Sequence, residues 1–395
     1  MYKLLIITAC IVLVNTQNSG DLDSILGEIF DKPPKTNVSP GSGPKSCVTK
    51  DERPGECVIY YLCNENNTIV TDGADVIDIR MKTGQCEFYL DVCCELPNKK
   101  DPEDVVTPPP PPVHKDCGWR NPDGVGFKTT GDVNHETKFG EFPWMIALLK
   151  REEVNPNDPN SEALNIYVGG GSLIHPSVVL TAAHYVYKPQ KLRVRAGEWD
   201  TQTRHEIYPY QERDVAKVKV HKDYNKHTQF YDVALLFLSA PMQLAPNVGL
   251  VCLPAERQLP RPGTNCFATG WGKDQFGKDG KYQVILKKRE LPIVDRSTCQ
   301  KALRKTRLGG LFELHSSFMC AGGEGQDTCT GDGGSPLVCP VEYEKDRYEQ
   351  VGIVSWGIGC GEDGTPGVYA DVSKMRAWID DKIVAEGYEP RIYVA

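Results

Sequence analysis

Cysteine placement constrains this chain more than any other feature. Its 395 residues include 15 cysteines, and Cys10 lies in an apolar run at the N-terminus. The other fourteen form an even number, as expected where thiols are oxidised in pairs. Six of them fall between Cys47 and Cys94, in a segment too small to fold on its apolar core alone. The sequence therefore predicts an extracellular protein with a small cross-linked domain in its N-terminal part.

The N-terminus has the pattern of a cleaved secretory signal. Lys3 precedes an apolar run that ends at Val14, which is too short to span a bilayer comfortably. We predict a signal peptide over residues 1–20; the alternative is a membrane anchor. Asn37 and Asn66 begin Asn-x-Ser/Thr tripeptides and are predicted glycosylation sites.

Composition and length limit the classes of partner and the number of domains. The net charge of −8 argues against nucleic acid as the main partner, and no later stretch predicts a membrane contact. The row Pro108–Pro112 favours a stiff polyproline spacer. The predicted divisions are a flexible segment (21–46), a six-cysteine domain (47–94), a Pro-rich linker (95–116) and a large C-terminal domain (117–395).

The large domain contains the residue types of a nucleophilic catalytic site. His184 ends Leu180-Thr-Ala-Ala-His184, Asp232 begins Asp232-Val-Ala-Leu-Leu236, and Cys329-Thr-Gly-Asp-Gly-Gly-Ser-Pro336 follows. Together with Phe142-Pro-Trp144, Thr269-Gly-Trp-Gly272 and Ser355-Trp-Gly357, these motifs resemble the trypsin-like serine proteases. The resemblance implies an all-β fold with two six-stranded antiparallel β-barrels. Apolar residues at helical spacing between Val372 and Val384 predict a C-terminal helix with Asp371 as its N-cap.

One position departs from the chemistry that the resemblance implies. In the family a serine attacks the peptide carbonyl, a histidine removes its proton and an aspartate orients the histidine. Gly333 stands where the serine is expected, so that the remnant triad is His184, Asp232 and Gly333. Ser335 follows two residues later, and the order Gly-Gly-Ser in place of Ser-Gly-Gly cannot come from one engineered substitution. We predict a protease scaffold without a nucleophile.

The cysteine-rich segment cannot be paired from spacing alone, because six cysteines allow fifteen connectivities. Its adjacent cysteines, followed by a linker and a protease-like domain, resemble the clip domain of arthropod serine proteases. Strands are predicted over 57–62 and 87–92. The two resemblances imply the following disulfides: Cys47–Cys93, Cys57–Cys86, Cys63–Cys94, Cys117–Cys252, Cys266–Cys339, Cys299–Cys320 and Cys329–Cys360.

Two further departures from the trypsin-like pattern concern the surroundings of the site. The family usually has a disulfide at the positions of Gly169 and Tyr185. The activation sequence, which normally supplies a new ammonium terminus after a basic residue, corresponds to Gly131-Asp-Val-Asn134. Asp332, the usual partner of that terminus, is therefore expected to lack it, and we expect a zymogen-like or altered specificity loop.

Two ligand sites are implied by the resemblance. Asp327, Gly357 and Gly367 correspond to a primary specificity pocket for lysine or arginine; the alternative is a collapsed remnant. A loop that contains Glu198, Asp200, Thr203 and Glu206 resembles the calcium loop of the trypsin family. A structural calcium ion is the cofactor expected there, and an ordinary solvated acidic loop is the alternative.

Two functional hypotheses from different classes follow. The first is a secreted, non-catalytic homologue similar to the prophenoloxidase-activating cofactors of insect haemolymph. Its implied partners are prophenoloxidase or phenoloxidase, an upstream clip-domain protease that cleaves it, and further copies of itself after cleavage. The second is a weak or unconventional hydrolase that uses Ser335 or a water held by His184.

Overall fold

The computed structural model describes fourteen separate stretches of the chain, most of them in the large domain. These are residues 45–49, 53–59, 76–77, 86, 91–98, 113–125, 128–129, 135–153, 163–201, 206, 208–273, 282–323, 332–358 and 364–395. The predicted signal peptide, Asn37, Asn66, Thr203, Asp327, Cys63, Cys329 and Cys360 lie outside the described residues.

The cysteine-rich segment contains a small antiparallel sheet. Strands β1 (Ser46–Val48), β2 (Pro54–Ile59) and β4 (Asp91–Glu95) pair in the order β1-β2-β4, and a short 3-10 helix follows (Leu96–Asn98). The described strands overlap the predicted strands 57–62 and 87–92 only in part. Two-residue strands β3 (Val76–Ile77) and β5 (Lys128–Thr129) pair in parallel.

The first half of the large domain is a closed six-stranded barrel. Its strands pair in the order β10-β11-β8-β7-β6-β9, all antiparallel. Val and Leu dominate the inward positions because β-branched and aliphatic side chains pack well on a pleated surface. The strands are β6 (Met145–Glu153), β7 (Ala163–His175), β8 (Val178–Thr181), β9 (Leu192–Ala196), β10 (Gln211–Val220) and β11 (Ala234–Leu238).

The second half forms a matching closed barrel in the order β12-β13-β14-β17-β16-β15. A buried cluster that includes Trp144, Trp199 and Trp271 joins residues of both halves, so the two barrels share one core. The strands are β12 (Asn265–Gly270), β13 (Lys287–Val294), β14 (Phe318–Ala321), β15 (Pro336–Pro340), β16 (Tyr348–Trp356) and β17 (Gly367–Asp371).

The described residues of the large domain include three α-helices: α1 (Ala183–Val186), α2 (Arg296–Arg304) and α3 (Val372–Ala385). The C-terminal helix α3 begins at its predicted N-cap, since the Asp371 carboxylate accepts a hydrogen bond from the Lys374 N–H. Its buried face carries Met375, Ile379 and Ile383. Val384, which the spacing placed on this face, is 59% exposed because it lies on the opposite side. A second 3-10 helix (Pro390–Tyr393) ends the chain.

Five disulfides join described residues, with the pairing that the resemblance implied. They are Cys47–Cys93, Cys57–Cys86, Cys117–Cys252, Cys266–Cys339 and Cys299–Cys320. Cys94 is also disulfide-bonded. The two barrels and the C-terminal helix confirm the predicted fold class. Among the described helices, none is long and apolar enough to cross a membrane.

Candidate functional site

His184 and Asp232 form a tight pair at the junction of the two barrels. His184 lies on helix α1, directly after strand β8, and its Nδ1 is 2.7 Å from Oδ2 of Asp232. The other carboxylate oxygen accepts a hydrogen bond of 2.9 Å from the His184 backbone N–H, which would otherwise be a free donor at the helix start. Asp232 is fully buried, whereas the His184 side chain remains 17% exposed.

A third donor fixes the aspartate. The Ser355 hydroxyl, at the end of strand β16, donates to Asp232 Oδ2 at 2.6 Å. Tyr231, the residue before Asp232, has φ 54°, a left-handed conformation that is uncommon for an aromatic residue. Its N–H donates a hydrogen bond to the Ser317 hydroxyl oxygen. Both barrels therefore hold the carboxylate in one orientation toward the imidazole.

Gly333 lies at the open side of this pair. A Cβ atom on Gly333 would be 3.0 Å from Nε2 of His184, so this is the position from which a side chain could meet the imidazole. The Gly333 carbonyl accepts a hydrogen bond of 2.9 Å from the Gly170 N–H. The next residue, Gly334, has φ 82°, which a non-glycine residue rarely adopts. The loop is thus held in place but presents no nucleophile to His184.

The Tyr185 ring occupies the space next to Gly333. A Cβ on Gly333 would lie 2.7 Å from Tyr185 Cε2 and 2.8 Å from its hydroxyl oxygen. A Cβ on Gly169 would also lie 2.7 Å from Tyr185 Cε2. Real Cβ contacts essentially never fall below 3.0 Å, so a side chain at 333 or at 169 would require the Tyr185 ring to move. The two positions of the missing family disulfide therefore hold a glycine and the ring that covers it.

Tyr185 was not among the site residues predicted from the sequence. Its ring also contacts the imidazole of His184, with centroids 4.1 Å apart. Burial raises the pKa of the Tyr185 phenol, which keeps it neutral. The available signal was a bulky aromatic residue directly after His184, but the direction of its ring depends on the room that Gly169 and Gly333 leave.

Ser335 points away from the catalytic pair into the wall between the barrels. The residue is fully buried, and its Oγ has no hydrogen-bond partner within the described part of the chain. Its hydroxyl packs against Gly170 and Gly270, where an added Cβ would collide with it or come within van der Waals distance. The Ser335 N–H donates to the Asp332 carbonyl at 2.9 Å. These contacts place its hydroxyl in an enclosed packing position.

Asp332 has a main-chain partner in this structure. Its Oδ1 accepts a hydrogen bond of 2.8 Å from the Gly272 N–H, just after strand β12. Burial and then the charge of this carboxylate raise the pKa values of Tyr167 and Tyr282, which places Asp332 near both phenols. A carboxylate oxygen that accepts the Gly272 N–H needs no ammonium terminus as its partner. Residues 131–134 lie outside the described residues.

The predicted specificity pocket is described only at its walls. Gly357 directly follows strand β16, and Gly367 begins strand β17, which pairs with β16. Asp327, the proposed floor, and Gly331, which would contribute to an oxyanion hole with Gly333, lie outside the described residues. The pocket stays a prediction.

The predicted calcium loop brings several carboxylates into a buried place. Glu198 and Asp200 are buried, and Glu206 Oε1 accepts N–H groups of Trp199 and Asp200 at 3.2 and 2.9 Å. Oε2 of Glu206 is buried without a partner among the described residues. Burial raises the pKa of Glu206, and the neighbouring Glu198 raises it further. Glu198 has its pKa raised to about 7 by burial, against the opposing effect of Arg195.

Arg195 was missed by the sequence reasoning. Its guanidinium pairs with Glu198 at 2.8 Å and with Glu212 at 2.7 Å, while strand β9 holds it in the barrel wall. One cation thus faces Glu198 from the barrel side, and the Oε2 atom of Glu206 remains uncompensated. The only hint in the sequence was an arginine three residues before Glu198, since charged groups are rarely buried without a partner.

Among the described residues, the site has an oriented histidine with a glycine, and no hydroxyl or thiol nucleophile, beside its Nε2 atom. The fold, the His184–Asp232 pair and the junction of the barrels define a serine-protease architecture of the trypsin type. Covalent acyl transfer needs a hydroxyl or thiol within hydrogen-bond reach of the base. At the position next to His184 the chain has a glycine covered by an aromatic ring.

Comparisons with known proteins agree with this class. The family model "Trypsin" matches residues 132–379, and the model "Serine protease Clip domain PPAF-2" matches residues 44–95. The chain therefore belongs to the trypsin family of serine proteases, in a form that carries a clip domain before the trypsin domain. The family resemblance seen in the sequence is confirmed.

Similar proteins include both named factors and named inactive members. The chain is 66% identical to phenoloxidase-activating factor 2 of Galleria mellonella over 301 residues, which cover 75% of this chain and 99% of that protein. It is 40% identical to inactive CLIP domain-containing serine protease A3 of Aedes aegypti, over 83% of this chain and 66% of the relative. For A28 of Anopheles gambiae, also named inactive, the identity is 36% over 84% and 89% of the two lengths.

Proposed function

We propose that this protein is a secreted, non-catalytic cofactor of an arthropod immune protease cascade, in which it assists prophenoloxidase activation and hence melanisation. In this proposal an upstream clip-domain serine protease cleaves the chain. The cleaved product then binds prophenoloxidase or phenoloxidase and associates with further copies of itself. The protein acts by binding and leaves peptide bonds intact.

One observation carries the proposal: the Tyr185 ring lies where a side chain at position 333 would have to be. Gly333 supplies no hydroxyl, and the ring prevents even a Cβ from fitting without a shift. Because His184 remains hydrogen-bonded to the buried Asp232, the domain keeps the shape of the site without a nucleophile. A surface of this kind can still recognise a protein partner.

The similar proteins support the direction of the proposal. One is named as a phenoloxidase-activating factor and covers three quarters of this chain, and two others carry the word inactive in their names. A cofactor role accounts for both sets of names, because an inactive protease homologue can contribute to activation only through binding.

The proposal is tested by reconstitution with purified components. Prophenoloxidase is incubated with an activating clip-domain protease, with and without this protein, and phenoloxidase activity and particle size are measured. We expect more phenoloxidase activity and larger particles when the protein is present and cleaved. Equal activity with and without the protein would contradict the cofactor role, whatever the state of the catalytic site.

Hydrolysis by Ser335 is the alternative function, and the geometry argues against it. The Ser335 hydroxyl is buried against Gly170 and Gly270, so a substrate could reach it only if the barrel wall opened. Labelling with a serine-directed fluorophosphonate provides the test. We expect no stoichiometric adduct on the purified protein, and an adduct mapped to Ser335 would favour the hydrolase.

We further propose that the loop around Glu198 binds a structural calcium ion. The buried carboxylates of Glu198 and Asp200, with the buried Oε2 atom of the half-buried Glu206, fit a hard cation with oxygen ligands. The unpartnered Oε2 of Glu206 is the atom that a cation would satisfy. Thr203 belongs to the proposed ligand set from its position in the sequence. The ion would compensate the mutual repulsion of the carboxylates and fix the loop.

Secretion is part of the proposal, and its support is the N-terminal pattern and the disulfides. Five disulfides between described residues are typical of a protein that folds in an oxidising compartment. We propose that Asn37 and Asn66 carry glycans. Expression in insect cells should yield a chain in the medium that begins after the predicted signal and loses mass on treatment with a glycosidase.

A further inference from the structure

The loop after helix α2 is more loosely held than its surroundings. It contains Arg307-Leu-Gly-Gly-Leu311, and Leu311 is 96% exposed. Gly309 and Gly310 have nothing within 4 Å of the place where a Cβ would be. The loop therefore projects from the second barrel without packing neighbours at its tip.

Within the described residues, the N–H groups of Arg307, Gly310 and Leu311 make no hydrogen bond. Beyond the tip, the Phe312 N–H donates to the Gly309 carbonyl at 3.1 Å, and Arg304 Nε donates to the Phe312 carbonyl at 2.7 Å. The Leu308 N–H reaches the Thr306 hydroxyl at 3.3 Å, and the Gly309 N–H reaches the Thr306 carbonyl at 3.1 Å. For Arg307 itself the structure records no hydrogen bond or ion pair, and the residue is exposed. A segment with an exposed backbone and few bonds opens locally at low cost in free energy.

From these observations we infer that the Arg307–Leu308 peptide bond is a proteolytic processing site for a protease that cleaves after arginine. Exposed loop tips with small residues are the preferred sites of proteolytic nicking. The cut adds one water across the amide, leaving the Arg307 carboxylate and the Leu308 ammonium. This site lies inside the trypsin-like domain and goes beyond the proposed function.

A disulfide would keep the two products together. Cys299 on helix α2 is bonded to Cys320 on strand β14, and the proposed bond lies between them. The nicked protein therefore stays one covalent unit until it is reduced. Processing at this site would change local structure without releasing a fragment.

Cleavage at this bond should affect the packing near His184 and Asp232. Leu308 and Phe312 pack against a buried cluster, and the Phe312 ring lies 6.2 Å, edge to face, from that of Trp356. Trp356 directly follows Ser355, which donates to Asp232. Release of the loop should therefore alter the surroundings of Trp356.

Exposure alone does not select this bond, and the hairpin between β15 and β16 shows the difference. Tyr343 at its tip is 100% exposed, and Lys345 is exposed as well. There the chain is closed by the hydrogen bond from the Val341 N–H to the Arg347 carbonyl, at 2.9 Å. A tight turn of this kind does not extend easily into a protease cleft. Lys345 is therefore a matched control for Arg307.

The experiment is a limited digestion of the full-length, disulfide-intact protein with sparing trypsin, followed by N-terminal sequencing of the fragments. Three proteins are compared: the wild type, Arg307→Gln and Lys345→Gln. We expect the wild type and Lys345→Gln to give a fragment that begins Leu308-Gly-Gly. It should appear before any cut at Lys301, Lys305 or Lys345 and should separate from its partner only on reduction. Arg307→Gln should lose this fragment.

Two results would overturn the inference. One is a wild-type pattern in which Lys301, Lys305 or Lys345 is cut before Arg307. The other is an Arg307→Gln variant that still yields a fragment starting at residue 308. Tryptophan emission provides a second readout, and we expect it to shift on cutting in the wild type and to stay constant in Arg307→Gln. Because no cofactor assay is involved, failure of the proposed function would not affect this test.

Discussion

The Tyr185 ring fills the space into which a side chain at position 333 would project. A Cβ on Gly333 would come within 2.7 Å of Tyr185 Cε2, below any ordinary contact distance. The same ring prevents a Cβ at Gly169, and it contacts the imidazole of His184. The glycine at position 333 and the tyrosine at position 185 are therefore parts of one local packing arrangement.

Restoring the serine alone should not restore an enzyme. We expect Gly333→Ser to destabilise the domain, because overpacking of this kind costs about 1–3 kcal/mol. The variant should remain unreactive toward a fluorophosphonate. In a protein that already carries Tyr185→Ala, the Gly333→Ser substitution should lose most of this cost. A double-mutant cycle of urea unfolding would measure the difference. Simple additivity of the two substitutions would contradict the steric account.

Asp232 should now act as a structural residue. Its carboxylate accepts from the His184 N–H, from the Ser355 hydroxyl and from the imidazole. In Asp232→Ala these buried donors lose their acceptor, at about 1–3 kcal/mol for each unsatisfied group. We expect a lower free energy of unfolding by at least about 2 kcal/mol. Asp232→Asn, which keeps an acceptor oxygen, should lose less, and equal losses would exclude this explanation.

Calcium should stabilise the protein through the loop around Glu198. A ligand at 100 times its Kd adds about 2.7 kcal/mol to the free energy of unfolding. We therefore expect the Tm of the wild type to rise by several degrees on calcium addition and to fall with a chelator. Glu206→Gln should abolish the rise, whereas Glu290→Gln, on an exposed position of β13, should preserve it. An unchanged wild-type Tm would remove the calcium proposal.

The stabilisation of helix α2 by its N-cap residue Asp295 should depend on pH. Hydrogen bonds from Thr298 and then Ser297 lower the pKa of Asp295 to about 2. Because the folded-state pKa is below the unfolded value, this stabilisation is fully present above the usual aspartate range near pH 3.8. It disappears as pH falls through about 2.

The matched variant for this effect is Asp295→Asn, which keeps a capping oxygen but cannot ionise. Guanidinium unfolding of both proteins between pH 5 and about pH 2 is the measurement. The advantage of the wild type should be constant at the upper end and shrink toward the lower end. A difference that does not change over this range would rule out ionised Asp295 as its source.

The sequence was sufficient for the fold because ordered motifs place His184 and Asp232 at fixed points of two barrels. The absence of a hydroxyl group at position 333 could also be read from the sequence, because glycine has no side chain. It could not predict that the Tyr185 ring would cover this glycine, because ring direction depends on the space left by residues distant in the chain. Likewise, the role of Arg195 as the ion-pair partner of Glu198 depends on strand β9, which brings the guanidinium to that carboxylate.

The helix at the C-terminus illustrates a smaller limit. Periodicity identified the buried face of α3, yet it included Val384, which is 59% exposed. An apolar residue next to the boundary of a helical stripe can lie on either side, and only the neighbouring barrel decides. Asp332 is similar: its acceptor role toward the Gly272 N–H depends on a contact between segments 60 residues apart.

Under the proposed non-catalytic function, the burial of Ser335 makes a return to catalysis difficult. A route back to an enzyme would have to place a hydroxyl at residue 333 and shrink residue 185, while the serine already present stays enclosed between Gly170 and Gly270. The first of these steps brings a steric penalty before any catalytic benefit exists. Under that proposal, catalysis could return only through coordinated substitutions at two positions that share one space, and neither substitution alone would supply it.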